Sequence, residues 1–250
     1  MFRIDPFSTA TLRIEVFAGG AEPWSTGTGL LIICQGRVFL ATNWHLVTGR
    51  HPVTEELNNA GAVPQILRIW HRAVDNASLH LGVHTMNEPL FTPANHPRWH
   101  ELPNRRLSDQ EDARLSIDVV LLPLEQTTGC VTNLGFYWDS FNFEPYVEPG
   151  SEVSVVGYPR GFMGVKNYPI WKSGHIASDI HGHPDQKHFL IDATTREGMS
   201  GSPVVARNRI SPFMGIYSGR LPDDVEIGIV WRSIVIHELL EQAFGQRLFR

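Results

Sequence analysis

The sequence predicts an all-β protein made of two strand-rich halves and closed by one terminal helix. Three observations predict it. About a dozen short segments alternate apolar and polar residues, no long helical period separates them, and 22 Gly and 17 Pro supply turns. A parallel α/β sheet would need a helix between successive strands, and the pattern offers none.

The elements follow in order. In Leu12-Arg13-Ile14-Glu15-Val16 the apolar side chains are expected to face a core while Arg13 and Glu15 face water. Segments 28–34, 37–42, 65–71, 79–84 and 117–122 complete the first half. The second half carries 152–157, 168–176, 188–193, 203–206, 213–217 and 227–231. Ser233 is the expected N-cap of a helix in which Ile236, Leu239, Leu240 and Phe244 recur at helical spacing through about residue 246. Its expected role is to pack an apolar face against a barrel. Residues 87–113, with four prolines and several charges, read as an elaborated surface loop. The expected boundaries are 1–123 for a first barrel, 124–150 for a crossover without regular period, 151–232 for a second barrel and 233–250 for the helix.

Composition excludes some partners. With 42% hydrophobic and 19% charged residues the 250-residue chain is globular, not disordered. A net charge of −5 and no basic stripe argue against nucleic acid. No segment is long and apolar enough to serve as a signal peptide or to span a bilayer. Cys34 and Cys130 are too few for a disulfide framework and read as free buried thiols. A cytoplasmic location is the resulting expectation.

The chemistry begins at Gly198-Met199-Ser200-Gly201-Ser202-Pro203-Val204. A serine flanked by glycines sits on a tight turn, where the amides of Gly198 and Ser200 can aim at one oxygen. The bland alternative is a Gly/Ser turn leading into a strand. A serine hydroxyl needs a base, and Leu40-Ala41-Thr42-Asn43-Trp44-His45-Leu46-Val47 places His45 in a polar turn at a strand end. The imidazole in turn needs a buried carboxylate. Asp118, at the head of the apolar run Val119-Val120-Leu121-Leu122, would be costly there unpaired. Asp109 and Asp112 have polar surroundings and are weaker candidates. Each segment alone is ambiguous, but the order His, Asp, Ser with each at a strand edge is hard to produce by chance.

With these motifs the chain resembles the trypsin-like (chymotrypsin-fold) serine peptidases, especially the bacterial branch of HtrA-type and glutamyl-endopeptidase-type enzymes. Gly27-Thr28-Gly29 matches the family's Gly-Ser/Thr-Gly strand, and Thr42 to Val47 its histidine box. Asp118 to Leu122 resembles its aspartate strand, Val155 to Pro159 and Gly174 to Ile176 the opening of its second barrel, and Asp192-Ala193 with Gly198 to Val204 its nucleophile segment. Gly215 to Ser218 and Ile227 to Val230 resemble the two strands beside the substrate. The resemblance implies two six-stranded antiparallel β-barrels, and a serine endopeptidase with His45, Asp118 and Ser200 as triad and the Gly198 and Ser200 N–H groups as oxyanion hole. It implies protein or peptide substrates, an added substrate strand near Ser218, and no metal or organic cofactor. A regulatory protein partner stays open.

The resemblance also carries departures. Met199 stands where vertebrate digestive members carry an aspartate that pairs with a newly cut N-terminus, so activation by clipping is not expected. The implied substrate-binding residues are Thr194 and Thr195 at the base of a pocket, with Tyr217, Ser218, Gly219 and Arg220 along one wall. No acid is present there to select lysine or arginine, and Tyr217 replaces the histidine of glutamyl endopeptidases. A neutral, small or apolar residue is the leading expectation. Arg220 or Arg196 could instead favour an acidic one. The histidine-rich 181–188 reads as a polar surface turn, without the outer hydrogen bonds that metal-binding histidines need. An α/β-hydrolase would want Gly-x-Ser-x-Gly and the order Ser, Asp, His, and the chain has neither. The stronger rival is a pseudoprotease that keeps the barrels as a peptide-binding module.

Overall fold

The computed structural model describes residues 4–58, 61–75, 80–107, 115–125, 134–140, 145–183, 185–207, 213–221 and 226–248. The first sheet holds β1 (Thr11–Phe17), β2 (Ser25–Cys34), β3 (Arg37–Thr42), β4 (Ile66–Asp75), β5 (His80–Pro89) and β6 (Val120–Pro123) in the order β5-β4-β1-β2-β3-β6. Every neighbour in that order is antiparallel. The segment after β5 bridges the remaining gap: Arg98 N donates to Leu90 O, and His100 pairs with Leu121 of β6.

The second sheet holds β8 (Glu152–Gly157), β9 (Ile170–His175), β10 (His188–Ile191), β11 (Pro203–Ala206), β12 (Phe213–Arg220) and β13 (Gly228–Arg232) in the order β10-β13-β12-β11-β8-β9. Its two ends meet at the Ile176–Ile191 bridge, where Ala177 N donates to Leu190 O at 2.8 Å. That contact joins the edge strands and removes open edges from the sheet.

All twelve strand segments read from the alternation form strands. The crossover adds one that alternation does not reveal, the two-residue β7 (Phe136–Tyr137), which pairs parallel with β2. Two short helices also have no sequence signal, α1 (Pro6–Ala10) and α2 (Trp44–Thr48). The terminal helix α3 spans Ser233–Phe244, with Arg232 as N-cap and left-handed Gly245 closing it. Ser233 is thus the first helical residue and not the cap.

One face reads differently from expectation. Arg13 and Glu15 do not face water: Glu15 is buried, and Arg13 pairs with it at 2.6 Å while stacking on Trp70. The reason is tertiary. Gly161 and Met163, from the loop after β8, lie against the Arg13 guanidinium and cover that side of β1.

Three apolar clusters result. One fills the first sheet around Leu12, Ile14, Leu40 and Leu67. Another fills the second around Val155, Phe189, Met199 and Met214. The largest lies between them, where Phe7, Trp138, Phe213 and Trp231 meet Val235, Ile236, Leu239 and Leu240 of α3. The helix therefore packs against both sheets and not one. Cys34 belongs to this middle cluster as a free thiol, its pKa pushed up to about 12 by burial and then by the nearby Asp139. Cys130 lies outside the described residues.

A buried imidazole makes part of the stability pH-dependent. His71 of β4 is 1% exposed, its Nε2 has no partner among the described residues, and it faces His84 across the hairpin. Burial, then the charge of His84, lowers its pKa from an ordinary 6.5 to about 4. Between those values the unfolded chain binds the extra proton, so stability falls as pH drops through the window. The loss is up to about 3 kcal/mol. Urea melts of wild type and His71→Phe at pH 4.5 and 7 check this: the variant should lose that part of the slope.

Candidate active site

His45 enters through α2, whose start is set by tertiary contacts. Asn43 precedes the helix in extended conformation and makes no side-chain cap. Its Nδ2 donates instead to Asp118 O at 2.6 Å, and Trp44 N donates to the same carbonyl at 3.3 Å. The carboxylate does the capping, since Asp118 Oδ1 accepts from His45 N at 2.8 Å. The other oxygen, Oδ2, lies 2.7 Å from His45 Nδ1. Asp118 is 1% exposed, so the histidine it holds is its compensation for burial.

The long 87–113 stretch is more than surface elaboration, because it steadies this helix. Glu101 Oε2 accepts from both indole nitrogens, Trp44 Nε1 and Trp99 Nε1. Arg105 stacks 3.5 Å over the Trp44 ring, donates to Ile117 O and pairs with Glu55 at 2.9 Å. Asp109 and Asp112 lie outside the described residues.

Ser200 enters from the opposite side. Its Oγ donates to Ser218 O at 2.9 Å, and Ser218 Oγ donates to Asp118 Oδ2 at 2.5 Å. Ser218 thus links the serine to the carboxylate that holds the histidine. His45, Asp118 and Ser200, 155 positions apart at the extremes, belong to one hydrogen-bonded network.

The Ser200 segment hangs from the first sheet by Thr28. Thr28 N donates to Ser200 O at 2.8 Å, and Thr28 Oγ1 donates to Gly198 O at 2.8 Å while accepting from Tyr158 N. Thr28 O in turn accepts from Thr42 Oγ1. Nothing in the sequence marks this role beyond the Gly27-Thr28-Gly29 pattern.

Two amides are left free by this arrangement. Glu197 O accepts from Arg160 N, and Met199 O accepts from Ser202 N. The peptides are trans, so the N–H groups of Gly198 and Ser200 point away from those partners. Neither has a protein acceptor among the described residues. Gly198, at φ +84, has room for no side chain, since a Cβ would press on Tyr158 O and Arg160 N. Gly201, at φ +86, would press on Thr28 O. Gly201→Ala is expected to cost about 3 kcal/mol or more, from left-handed strain plus the clash. A urea melt reads the loss.

The residues expected to line a pocket fall on two segments joined by a side-chain hydrogen bond. Thr195 is fully buried, Thr194 beside it is exposed, and Tyr217 on β12 is 3% exposed. Thr195 Oγ1 and Tyr217 OH are hydrogen-bonded. Burial raises the Tyr217 pKa, while Thr195 and Arg220 pull it back. Ser218 is buried, Gly219 half-buried and Arg220 exposed. Met199 is buried in the second core. Among the described residues no three His, Cys, Asp or Glu side chains are grouped to hold a metal; His181 stacks on Tyr146 instead. No described helix is long and apolar enough to cross a membrane.

A family model described as a trypsin-like peptidase domain matches residues 27–209, which carry every residue of this network except Ser218. Among solved structures, the active form of the Rv3671c protease of M. tuberculosis aligns with 94% of this chain and 80% of its own, at 19% identity and TM-score 0.53. A serine endoprotease of Yersinia pestis aligns with 98% of this chain and 68% of its own, at 15% identity and TM-score 0.53. No curated protein sequence matches.

Proposed function

The chain belongs to the trypsin-like serine peptidases, and from that premise we propose that it is an endopeptidase using His45, Asp118 and Ser200 on few protein substrates. One observation carries the reading: the Asp118 carboxylate binds both the ring and the backbone of His45, and through Ser218 the hydroxyl of Ser200.

The chemistry is acyl transfer. Ser200 Oγ attacks the scissile carbonyl carbon as His45 Nε2 takes its proton. The carbonyl oxygen gains charge and is met by the N–H groups of Gly198 and Ser200, each worth about 2.7–4 kcal/mol in such a role. His45 then protonates the leaving amine, and water repeats the sequence on the acyl-enzyme. Asp118 keeps the proton of neutral His45 on Nδ1, so that Nε2 can accept.

Before attack the Ser200 hydroxyl must leave Ser218 O for His45. The torsion available for that change is the one about Cα–Cβ, which prefers staggered positions. The present rotamer is the observation that favours the rival, an inert peptide-binding module. Labelling with a fluorophosphonate separates the two readings: an adduct on wild type and none on Ser200→Ala is the expected result. A folded wild type that takes no label would leave the binding module.

Substrate backbone adds as a strand along 218–220 of β12. There the bulge between Tyr217 and Gly219 leaves Ser218 out of the β13 ladder, and a Cβ on Gly219 would meet no described residue within 4 Å. Activation needs no clipped N-terminus, because buried, apolar Met199 gives a new amine nothing to pair with.

A further inference from the structure

We propose that the pocket beside Ser200 selects a short acidic side chain on the substrate residue preceding the cleaved bond, with Tyr217 limiting its depth and Arg220 supplying its charge. The inference rests on the peptidase reading and adds the substrate class.

The position of the pocket follows from the network. The nucleophile segment and β12 touch where Ser200 Oγ meets Ser218 O. A residue whose carbonyl sits on Ser200, with its backbone along 218–220, sends its side chain between 194–198 and 217–220. Gly228 of β13 forms the third side.

Tyr217 occupies the depth of that space. Its hydroxyl reaches Thr195, and a Cβ on Gly228 would lie 2.6 Å from its ring carbon Cε2. The ring therefore spans from β12 to the nucleophile segment and lies against the β13 backbone. The ring takes the depth that a phenylalanine or lysine side chain would need, both being longer than an aspartate or glutamate.

What is left in the pocket asks for an acceptor. The Thr195 and Tyr217 hydroxyls carry two protons, and their mutual hydrogen bond uses one. The second has no acceptor among the described residues, although Thr195 is fully buried and Tyr217 is 3% exposed. A buried donor left unmet costs about 1–3 kcal/mol, which a substrate oxygen would recover.

Charge decides which acceptor. Arg220 pairs with Gly228 in the ladder, and cross-strand partners project to the same face. The Tyr217 ring lies on that face of Gly228, so Arg220 shares it. Its positive field reaches the phenol, where it offsets part of the upward push of burial. Arg220 has no ion pair among the described residues. Of the described acids, Glu226 on the same hairpin is exposed and makes no ion pair with Arg220, Asp192 engages His175, and Glu197 is exposed beside Arg196. A lysine would meet like charge, whereas a carboxylate would meet the spare hydroxyl proton and the guanidinium together.

The test uses the full chain and fluorogenic peptides identical except for Glu, Asp, Gln, Ala, Phe or Lys before the cleaved bond. Active sites are first counted with a fluorophosphonate. The kcat/KM for Glu or Asp should exceed that for Gln and Ala by about tenfold or more, and that for Phe and Lys by about 100-fold. Arg220→Ala should bring the Glu/Gln ratio toward one. Tyr217→Ala, checked for folding by circular dichroism, should admit Phe. Wild type that labels but cuts after Ala, Gln, Phe or Lys as well as after Glu overturns this inference alone. Wild type that is folded and takes no label overturns the peptidase reading and this inference with it.

Discussion

Ser200→Ala is expected to lower kcat by about 10⁶-fold without unfolding the protein. Ser200 is half-buried, and among the described residues its hydroxyl makes one hydrogen bond, to Ser218 O. Losing it costs about 1 kcal/mol of stability. The chemical loss is far larger because nothing else in the network can form the acyl bond. His45→Ala should lose about as much, and the double variant little more, since a nucleophile without its base and a base without its nucleophile are equally idle. Peptide hydrolysis by the three variants, with thermal melts alongside, tests this. Additive losses in the double variant would show that the two residues act independently.

Asp118→Asn should cost about 10⁴-fold in kcat. The carboxylate accepts three hydrogen bonds: from His45 Nδ1 and Ser218 Oγ on one oxygen, and from His45 N on the other. An amide keeps only one oxygen. With its NH₂ toward the ring, the imidazole must move its proton to Nε2 and can no longer accept one from Ser200. With its NH₂ toward the backbone, it confronts the His45 N–H and loosens the start of α2. The first outcome leaves the melting temperature almost intact and the second lowers it, so kinetics and melts together identify which is adopted. Activity within tenfold of wild type with an unchanged melting temperature would remove Asp118 from the mechanism.

The strands were legible because period 2 is written into each segment locally. The two-residue β7 was not, since Phe136 and Tyr137 are too few to show a period and their partner is a hundred positions away. Helix α2 was equally silent. Five residues cannot hold a helix alone, and what stabilises this one is a carboxylate from residue 118 and an indole clasped by residues 101 and 105. The residues His45, Asp118 and Ser200 stood out by their settings. Their connectors did not: Thr28 and Ser218 act through contacts 170 and 100 positions long, and threonine and serine on a strand look the same with or without such a duty. Arg13 and Glu15 failed the alternation for the same reason. A loop from the other half covers them, and no local pattern announces a distant lid.

Because Thr28 suspends the Ser200 loop from the opposite sheet, turnover doubles as a gauge of how well the two halves are seated. A slip of an ångström or two along their seam would slacken the loop while every strand stayed paired. On warming, cutting should therefore fade before circular dichroism registers any melting, and return on cooling.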